Sequence, residues 1–241
     1  VNGEHEYTGF MHGLLLLIAL APGFAKDLTT NNVTVTGAPA WLTESRVNKA
    51  VDKASRALEW DIRRVSVRWF TNAGEFSAAH GLGVGPGITV NAVSKRHENA
   101  IYLGPAVSTQ NFDGVFTHEL AHIIMYQKYK DAIPKWLEEG LANYVASKGQ
   151  VDYPWLASTW NERQPPLELR KLGHPFGPAA STKLQYMAST AVMEMLASKC
   201  RIADLLQLSV GEKLESYLAT FCRVSDLESD FKKFVKRKSG R

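Results

Sequence analysis

The chain has 241 residues, of which 45% are hydrophobic and 22% are charged, and its formal net charge is +4. This composition excludes a disordered or low-complexity protein and provides enough apolar side chains for a substantial core. Part of the positive charge lies in the C-terminal tail KKFVKRKSGR. Because no nucleic-acid-binding motif accompanies this tail, we expect a solvated terminus and no nucleic-acid partner.

Residues 1–25 contain a short apolar run, LLLLIALA, at 14–21. The run is too short for a transmembrane span, but it has the length of a signal-peptide core. Gly23 and Ala25 provide the small residues of a cleavage site, whereas no Lys or Arg precedes the run. A signal peptide would make the protein secreted or periplasmic. The alternative is a disordered or apolar N-terminal segment, which leaves a cytoplasmic location open.

Residues 26–150 are predicted to form the first of two lobes. Partial alternation over 27–37 indicates a strand or an extended lead-in. Apolar residues at three- and four-residue spacing then predict a helix that is capped by Thr43 or Ser45. The alternating segment RVSVRWF at 64–70 is typical of a strand.

A glycine-rich segment at 72–87 follows and predicts a loose loop beside a substrate groove. It lacks the spacing of a phosphate-binding loop. Strands over 88–93 and 100–103 are predicted to form a hairpin, whose outer strand would pair with an extended peptide.

The segment THELAHIIMYQKYKDAIPKWLEEGLANY at 117–144 contains the pattern His-Glu-x-x-His. Residues four apart on a helix differ by about 40° around its axis, so His118 and His122 can bind one metal ion together. Glu119 lies one residue round from that face, where a carboxylate can deprotonate a metal-bound water without ligating the metal. Apolar residues surround the pattern on nearly all sides, which predicts a helix inside the protein.

A catalytic zinc site takes three protein ligands and keeps a position for water. A second helix is predicted over 135–147, after Pro134, and it can pack against the first and return a carboxylate to the metal. Glu138 and Glu139 are both candidates for the third ligand at this point.

Residues 151–241 are predicted to form a helical C-terminal lobe. The proline-rich stretch 151–178 indicates an irregular connection between the lobes. Cys200 and Cys222, the only cysteines, would form a disulfide in an oxidising compartment and remain buried thiols in the cytosol. Apolar periodicity predicts helices over 183–199, 202–208, 213–221 and 224–236.

The paired histidines and the segment WLEEGLANY at 136–144 together resemble the gluzincin metallopeptidases, the peptidase-MA-like group. In that group the third ligand is the glutamate directly before glycine, so the resemblance implies one zinc ion held by His118, His122 and Glu139. Glu138 would then point about 100° away, towards solvent or a neighbouring cation. The implied fold class is α+β and zincin-like, with a small mixed sheet packed on the active-site helix.

The resemblance implies roles for two further residues. Asn143 lies one turn past Glu139, where related enzymes place an aspartate that holds the free nitrogen of a zinc-binding histidine. Tyr186 occupies the position of a tyrosine that stabilises the oxyanion. The Lys-Gly that follows this tyrosine in many aminopeptidases is replaced by Ala188 and Ser189.

The sequence therefore predicts a zinc metallopeptidase acting on peptides or proteins, with Glu119 and Tyr186 as its catalytic groups. The Gly-x-Met-Glu-Asn stretch that binds a substrate amine is missing, so an endopeptidase is favoured over an aminopeptidase. The alternative is a non-catalytic zinc-binding scaffold derived from a peptidase fold. Glu119 argues against it, because a structural site needs no base. The sequence does not predict the oligomeric state.

Overall fold

The structure is a computed structural model. It describes residues 26–82, 90–162, 168–172, 179–211 and 213–240. The predicted signal-like segment and most of the glycine-rich centre of the predicted loop lie outside these ranges. Among the described residues, no helix combines the length and the apolarity that crossing a membrane requires.

The sheet is mixed and has five strands in the order β1-β2-β3-β5-β4. The central strands β2, β3 and β5 run parallel, and the edge strands β1 and β4 run antiparallel to their neighbours. In β3 the buried and exposed residues alternate, as expected for a strand with one face on the core. The strands are β1 (Lys26–Thr29), β2 (Val33–Ala38), β3 (Val65–Trp69), β4 (Ala92–Lys95) and β5 (Ala100–Leu103).

Helices make up most of the described chain after β5. They are α1 (Glu44–Leu58), α2 (Ala73–His80), α3 (Phe112–Tyr129), α4 (Lys135–Ser147), α5 (Tyr153–Glu162), α6 (Ala179–Ala197), α7 (Ile202–Val210), α8 (Leu214–Thr220) and α9 (Leu227–Lys238). The Thr43 side chain caps α1 by accepting from the Arg46 backbone N–H at 3.3 Å. The predicted α+β architecture, a small mixed sheet followed by helices, is confirmed.

The predicted loose segment after β3 is wrong in part, because it contains α2. The Asn72 side chain accepts hydrogen bonds from the backbone of Gly74 at 2.8 Å and Glu75 at 3.0 Å, which caps this helix. Gly81, with φ of +64°, ends it. Only Phe76 and His80 are buried in α2, so the sequence carries no apolar periodicity that would reveal it.

The predicted irregular connection is also wrong in part, because it contains α5. Pro154 lies in the first turn of α5, where a missing N–H leaves no intrahelical bond unmade. The Asp152 side chain accepts from the Trp155 backbone N–H at 3.0 Å and supports this turn. Pro154 therefore marks the start of a helix rather than excluding one.

The predicted hairpin is confirmed, since β4 pairs antiparallel with β5. Its first strand begins at Ala92 rather than at residue 88, and residues 88 and 89 lie outside the described ranges. A 3-10 turn (Arg96–Glu98) joins the strands, and Asn99 adopts φ of +49° after it.

Helix α3 lies in the centre of the core, as its sequence predicts. Phe116, Leu120 and Ile123 on this helix have no exposed surface. The buried apolar side chains form one contiguous cluster that includes residues on both sides of position 150, and the division into two lobes stays a prediction.

Cys200 and Cys222 form a disulfide with their Cα atoms 5.4 Å apart. The bridge closes a loop that contains α7 and α8. It links the chain just after α6 to the chain just after α8. The sequence left open whether these cysteines are paired or are free thiols, and the structure shows them paired.

Gly140 lets α4 approach α6 closely. A Cβ atom at this position would lie 2.9 Å from Met193 Cγ and 3.3 Å from the Ser189 carbonyl oxygen, both on α6. In the gluzincin-like segment, the glycine after Glu139 is therefore required by packing.

We expect Gly140→Ala to be less stable than Gly114→Ala by about 1–3 kcal/mol, the usual cost of overpacking a core. Gly114 lies in α3, and a Cβ there would meet no atom within 4 Å. Because both substitutions add one methyl group to a helix, their difference in free energy of unfolding, measured with urea, isolates the packing cost. Equal stability of the two variants would contradict this account of Gly140.

Candidate metal centre

The structure brings His118 and His122 on α3 together with Glu139 on α4. The two Nε2 atoms lie 3.1 Å apart. Glu139 Oε2 lies 3.8 Å from His118 Nε2 and 3.6 Å from His122 Nε2. The side chains are only 12%, 7% and 9% exposed, respectively. Three potential ligand atoms therefore converge on one small volume inside the protein.

This geometry fits zinc. Ligand atoms about 2.0–2.2 Å from a tetrahedral zinc ion lie about 3.3–3.6 Å from one another. The observed separations of 3.1, 3.6 and 3.8 Å enclose that range. Imidazole nitrogens favour zinc over magnesium or calcium, which prefer oxygen ligands alone.

The local fold explains why these side chains meet. The four-residue spacing on α3 places the rings of His118 and His122 with centroids 4.7 Å apart and planes at 77°. Helix α3 ends at Tyr129, and Lys130, which follows it, has a φ of +57°. Helix α4 begins after Pro134 and packs against α3. At the far end of α4, Lys53 Nζ on α1 donates to the Ala146 carbonyl at 2.9 Å, which satisfies a helix-end acceptor.

Glu119 is buried on α3 beside this cluster, with a residue exposure of 7%. Its negative charge helps to raise the pKa values of both His122 and Tyr186. The carboxylate thus acts electrostatically on a potential metal ligand and on a potential oxyanion donor.

Tyr186 faces the same cluster from α6. Burial, together with the negative charges of Glu139 and Glu119, raises the pKa of Tyr186 to about 12. The phenol therefore keeps its proton at neutral pH and can donate a hydrogen bond.

The structure decides between the two environments that the sequence predicts for Glu138. One alternative was solvent, and this is wrong, because the Glu138 side chain is only 5% exposed. The other was a neighbouring cation, and this is confirmed by Arg96 Nη1 and Lys135 Nζ, each 2.8 Å from the carboxylate. In addition, His122 Nδ1 lies 3.0 Å from Glu138 Oε1.

Glu138 and Glu139 approach opposite nitrogens of the His122 ring. Successive helical residues point about 100° apart, which lets one carboxylate reach Nδ1 while the next faces Nε2. Burial lowers the pKa of His122, but the surrounding carboxylates outweigh it and raise this pKa to about 10. Burial likewise raises the pKa of Glu138, and its bond to His122 with the nearby cations lowers it to about 2.

Asn143 connects α4 with the helix that carries Tyr186. Its Nδ2 donates to Ser189 Oγ at 2.7 Å, and Ser189 Oγ donates to the Tyr186 carbonyl at 3.0 Å. At His122 the Nδ1 partner is Glu138 rather than Asn143. A role for Asn143 beside His118 stays a prediction.

The sequence predicted a cation as one possible neighbour of Glu138, but it identified neither Lys135 nor Arg96 and did not predict the contact with His122. Lys135 could have been found from its spacing, since residues three apart on a helix lie close together. Arg96 comes from the hairpin turn, and neither periodicity nor a motif connects it to Glu138.

No family model and no curated protein matches this chain. Its fold is similar to the crystal structure of an M1 zinc metallopeptidase from Deinococcus radiodurans, determined as a point mutant, with a TM-score of 0.50 and 15% sequence identity. The similarity covers 88% of this chain and 51% of that one, so this chain spans about half the length of the known structure. At this identity, the similarity concerns the fold.

We expect the chain to bind one zinc ion and to become more stable by about 2.7 kcal/mol at a free zinc concentration of 100 times Kd. His122→Ala and Glu139→Ala should lose this stabilisation, because each removes a converging ligand atom. Isothermal titration calorimetry and thermal melting measure both effects. His97→Ala, at an exposed histidine outside the cluster, is the control, and unchanged zinc binding by His122→Ala would exclude this site.

Proposed function

We propose that the chain is a zinc metallopeptidase with a zincin-like fold, of the gluzincin type, that hydrolyses bonds within peptides or proteins. The observation that carries the proposal is the buried convergence of His118, His122 and Glu139 next to Glu119. The fold similarity to an M1 zinc metallopeptidase supports it. An endopeptidase is proposed because the sequence lacks the family's amine-binding stretch.

His118, His122 and Glu139 would hold the ion. When bound, zinc supplies Lewis acidity that polarises a peptide carbonyl and lowers the pKa of a water molecule. Glu119 would accept the proton of the attacking water and return it to the leaving nitrogen. Tyr186, protonated at neutral pH, would donate a hydrogen bond to the oxyanion.

Strand β4 would hold the substrate backbone. It ends the strand order of the described sheet, and it packs against α3, the helix that carries the histidines. An extended peptide can add to such an edge through backbone hydrogen bonds. Under the proposed division at residue 150, Tyr186 reaches the site from the second lobe.

A secreted or periplasmic location remains part of the proposal. The Cys200–Cys222 disulfide supports an oxidising compartment, because cytosolic thiols are usually kept reduced.

Glu119→Gln should keep zinc and lower kcat for peptide hydrolysis by about 10²- to 10⁴-fold, the usual contribution of a general acid–base group. Cleavage of a mixed peptide library, followed by mass spectrometry with and without a chelator, measures this loss. Glu44→Gln changes an exposed carboxylate on α1 and serves as the matched control.

A zinc-binding scaffold predicts a different pattern in this experiment. The wild-type chain would bind zinc without chelator-sensitive cleavage, and Glu119→Gln would change nothing. That result would overturn the proposed peptidase.

Tyr186→Phe should lower kcat by about 10²-fold or more while zinc binding stays unchanged, because it removes the hydroxyl that would donate to the oxyanion and leaves the three proposed zinc ligands in place. Steady-state kinetics on a peptide from the library separates kcat from KM. Tyr217→Phe removes a hydroxyl that donates to Asp204 and is the control. If Tyr186→Phe kept wild-type kcat, the tyrosine would have only a packing role.

A further inference from the structure

The Glu138 carboxylate has a charged or polar partner on each of its oxygens. Oε1 accepts from His122 Nδ1 at 3.0 Å and from Arg96 Nη1 at 2.8 Å. Oε2 accepts from Lys135 Nζ at 2.8 Å. The carboxylate is nearly inaccessible, whereas the Lys135 side chain is 63% exposed. Three directional contacts therefore fix this carboxylate in one orientation.

The contact to His122 determines what that ring can do. A carboxylate only accepts hydrogen bonds, so the proton must lie on Nδ1. In the neutral ring, a proton held on Nδ1 leaves the lone pair on Nε2, the nitrogen that faces Glu139 and His118. A carboxylate at the second nitrogen also fixes the ring angle and makes the imidazole a stronger metal ligand.

Arg96 connects this arrangement to the β4–β5 hairpin. It lies in the turn between these strands and is 21% exposed. One nitrogen, Nη1, donates to Glu138, while Nη2 lies 3.5 Å from Asp131 in the connection between α3 and α4. The guanidinium carbon also lies 5.8 Å from the centre of the Tyr126 ring on α3. From the hairpin, Arg96 thus contacts α3, α4 and the connection between these two helices.

We propose that Glu138 is a positioning residue that orients His122 for zinc, and that Arg96 holds Glu138 in place and couples the hairpin to the metal centre. This inference rests on the zinc site of the proposed function, but it does not depend on peptide cleavage. It assigns to Glu138 a contact with a zinc-binding histidine of the kind that the resemblance implied for Asn143.

A purely structural ion pair is the competing explanation. In that case Glu138 would attach the first turn of α4 to the hairpin, and His122 would only happen to lie nearby. A second competing explanation is that only the charge of Glu138 matters, since any carboxylate near a zinc ion strengthens zinc binding. The variants must therefore separate orientation from charge and from stability.

The test measures zinc affinity by competition with a chromophoric chelator, and the His122 Nδ1 proton by ¹⁵N-edited NMR, with and without zinc. We expect Glu138→Gln to weaken zinc binding by about 10- to 100-fold and to move the Nδ1 proton upfield, because the charged acceptor is lost. Glu168→Gln breaks an exposed pair with Lys171, also three residues apart, and should change neither.

Glu138→Asp keeps the charge but shortens the side chain by one methylene group. If Glu138 positions His122, this variant also binds zinc less tightly and shifts the Nδ1 proton. Wild-type affinity in Glu138→Asp would show that charge alone matters and would overturn the positioning role.

Arg96→Gln distinguishes a pure charge effect from positioning, because the two explanations predict opposite changes in zinc affinity. Removing a positive charge near a cation site strengthens zinc binding if only charge matters. If Arg96 holds Glu138, zinc binding instead becomes weaker by several-fold and the Nδ1 proton shifts. Tighter binding, or an unmoved proton, would overturn the role of Arg96.

Peptide cleavage is scored separately on the same samples. A wild-type chain that binds zinc without cleaving peptides would overturn the proposed peptidase, and the shifts in Glu138→Gln and Arg96→Gln would still support this inference. If the His122 Nδ1 proton had the same chemical shift in Glu138→Gln as in the wild type, the inference would be overturned, even if the chain cleaved peptides.

Discussion

The packing of α4 against α3 is the interaction on which the candidate site depends. His118 and His122 come from one helix and Glu139 from the other, so the three ligand atoms converge only while the helices stay in contact. The site also depends on the packing of α4 against α6, the helix that carries Tyr186. Gly140, the residue after Glu139, allows these two helices to lie close together because it has no side chain. A small shift of α4 would therefore disturb both the proposed ligand set and the proposed oxyanion donor.

The same packing forces charged groups into the interior. Glu119, Glu138 and Glu139 are all buried, and burying a carboxylate is costly unless it is paired. Arg96 and Lys135 compensate Glu138 directly. Polar residues in an otherwise apolar helix contradict the local pattern of α3, and such contradictions are expected at functional sites.

Periodicity and spacing were sufficient to predict α3, α4 and the facing histidines, since both follow from helix geometry alone. Glu139 could be preferred over Glu138 only through a family resemblance, because each lies on α4 within reach of the first helix. Helix α2 was missed because its start depends on capping by Asn72 rather than on periodicity. The role of Arg96 could not be predicted, because it depends on where a distant hairpin packs.

The proposed zinc site lies between α3 and α4 and consists of His118, His122 and Glu139. Diffraction data collected on both sides of the zinc absorption edge, from crystals of the zinc-loaded chain, test it most directly. We expect one anomalous peak about 2.0–2.2 Å from both Nε2 atoms and from a Glu139 oxygen. A peak bound by Glu138, or one away from this triangle, would contradict it.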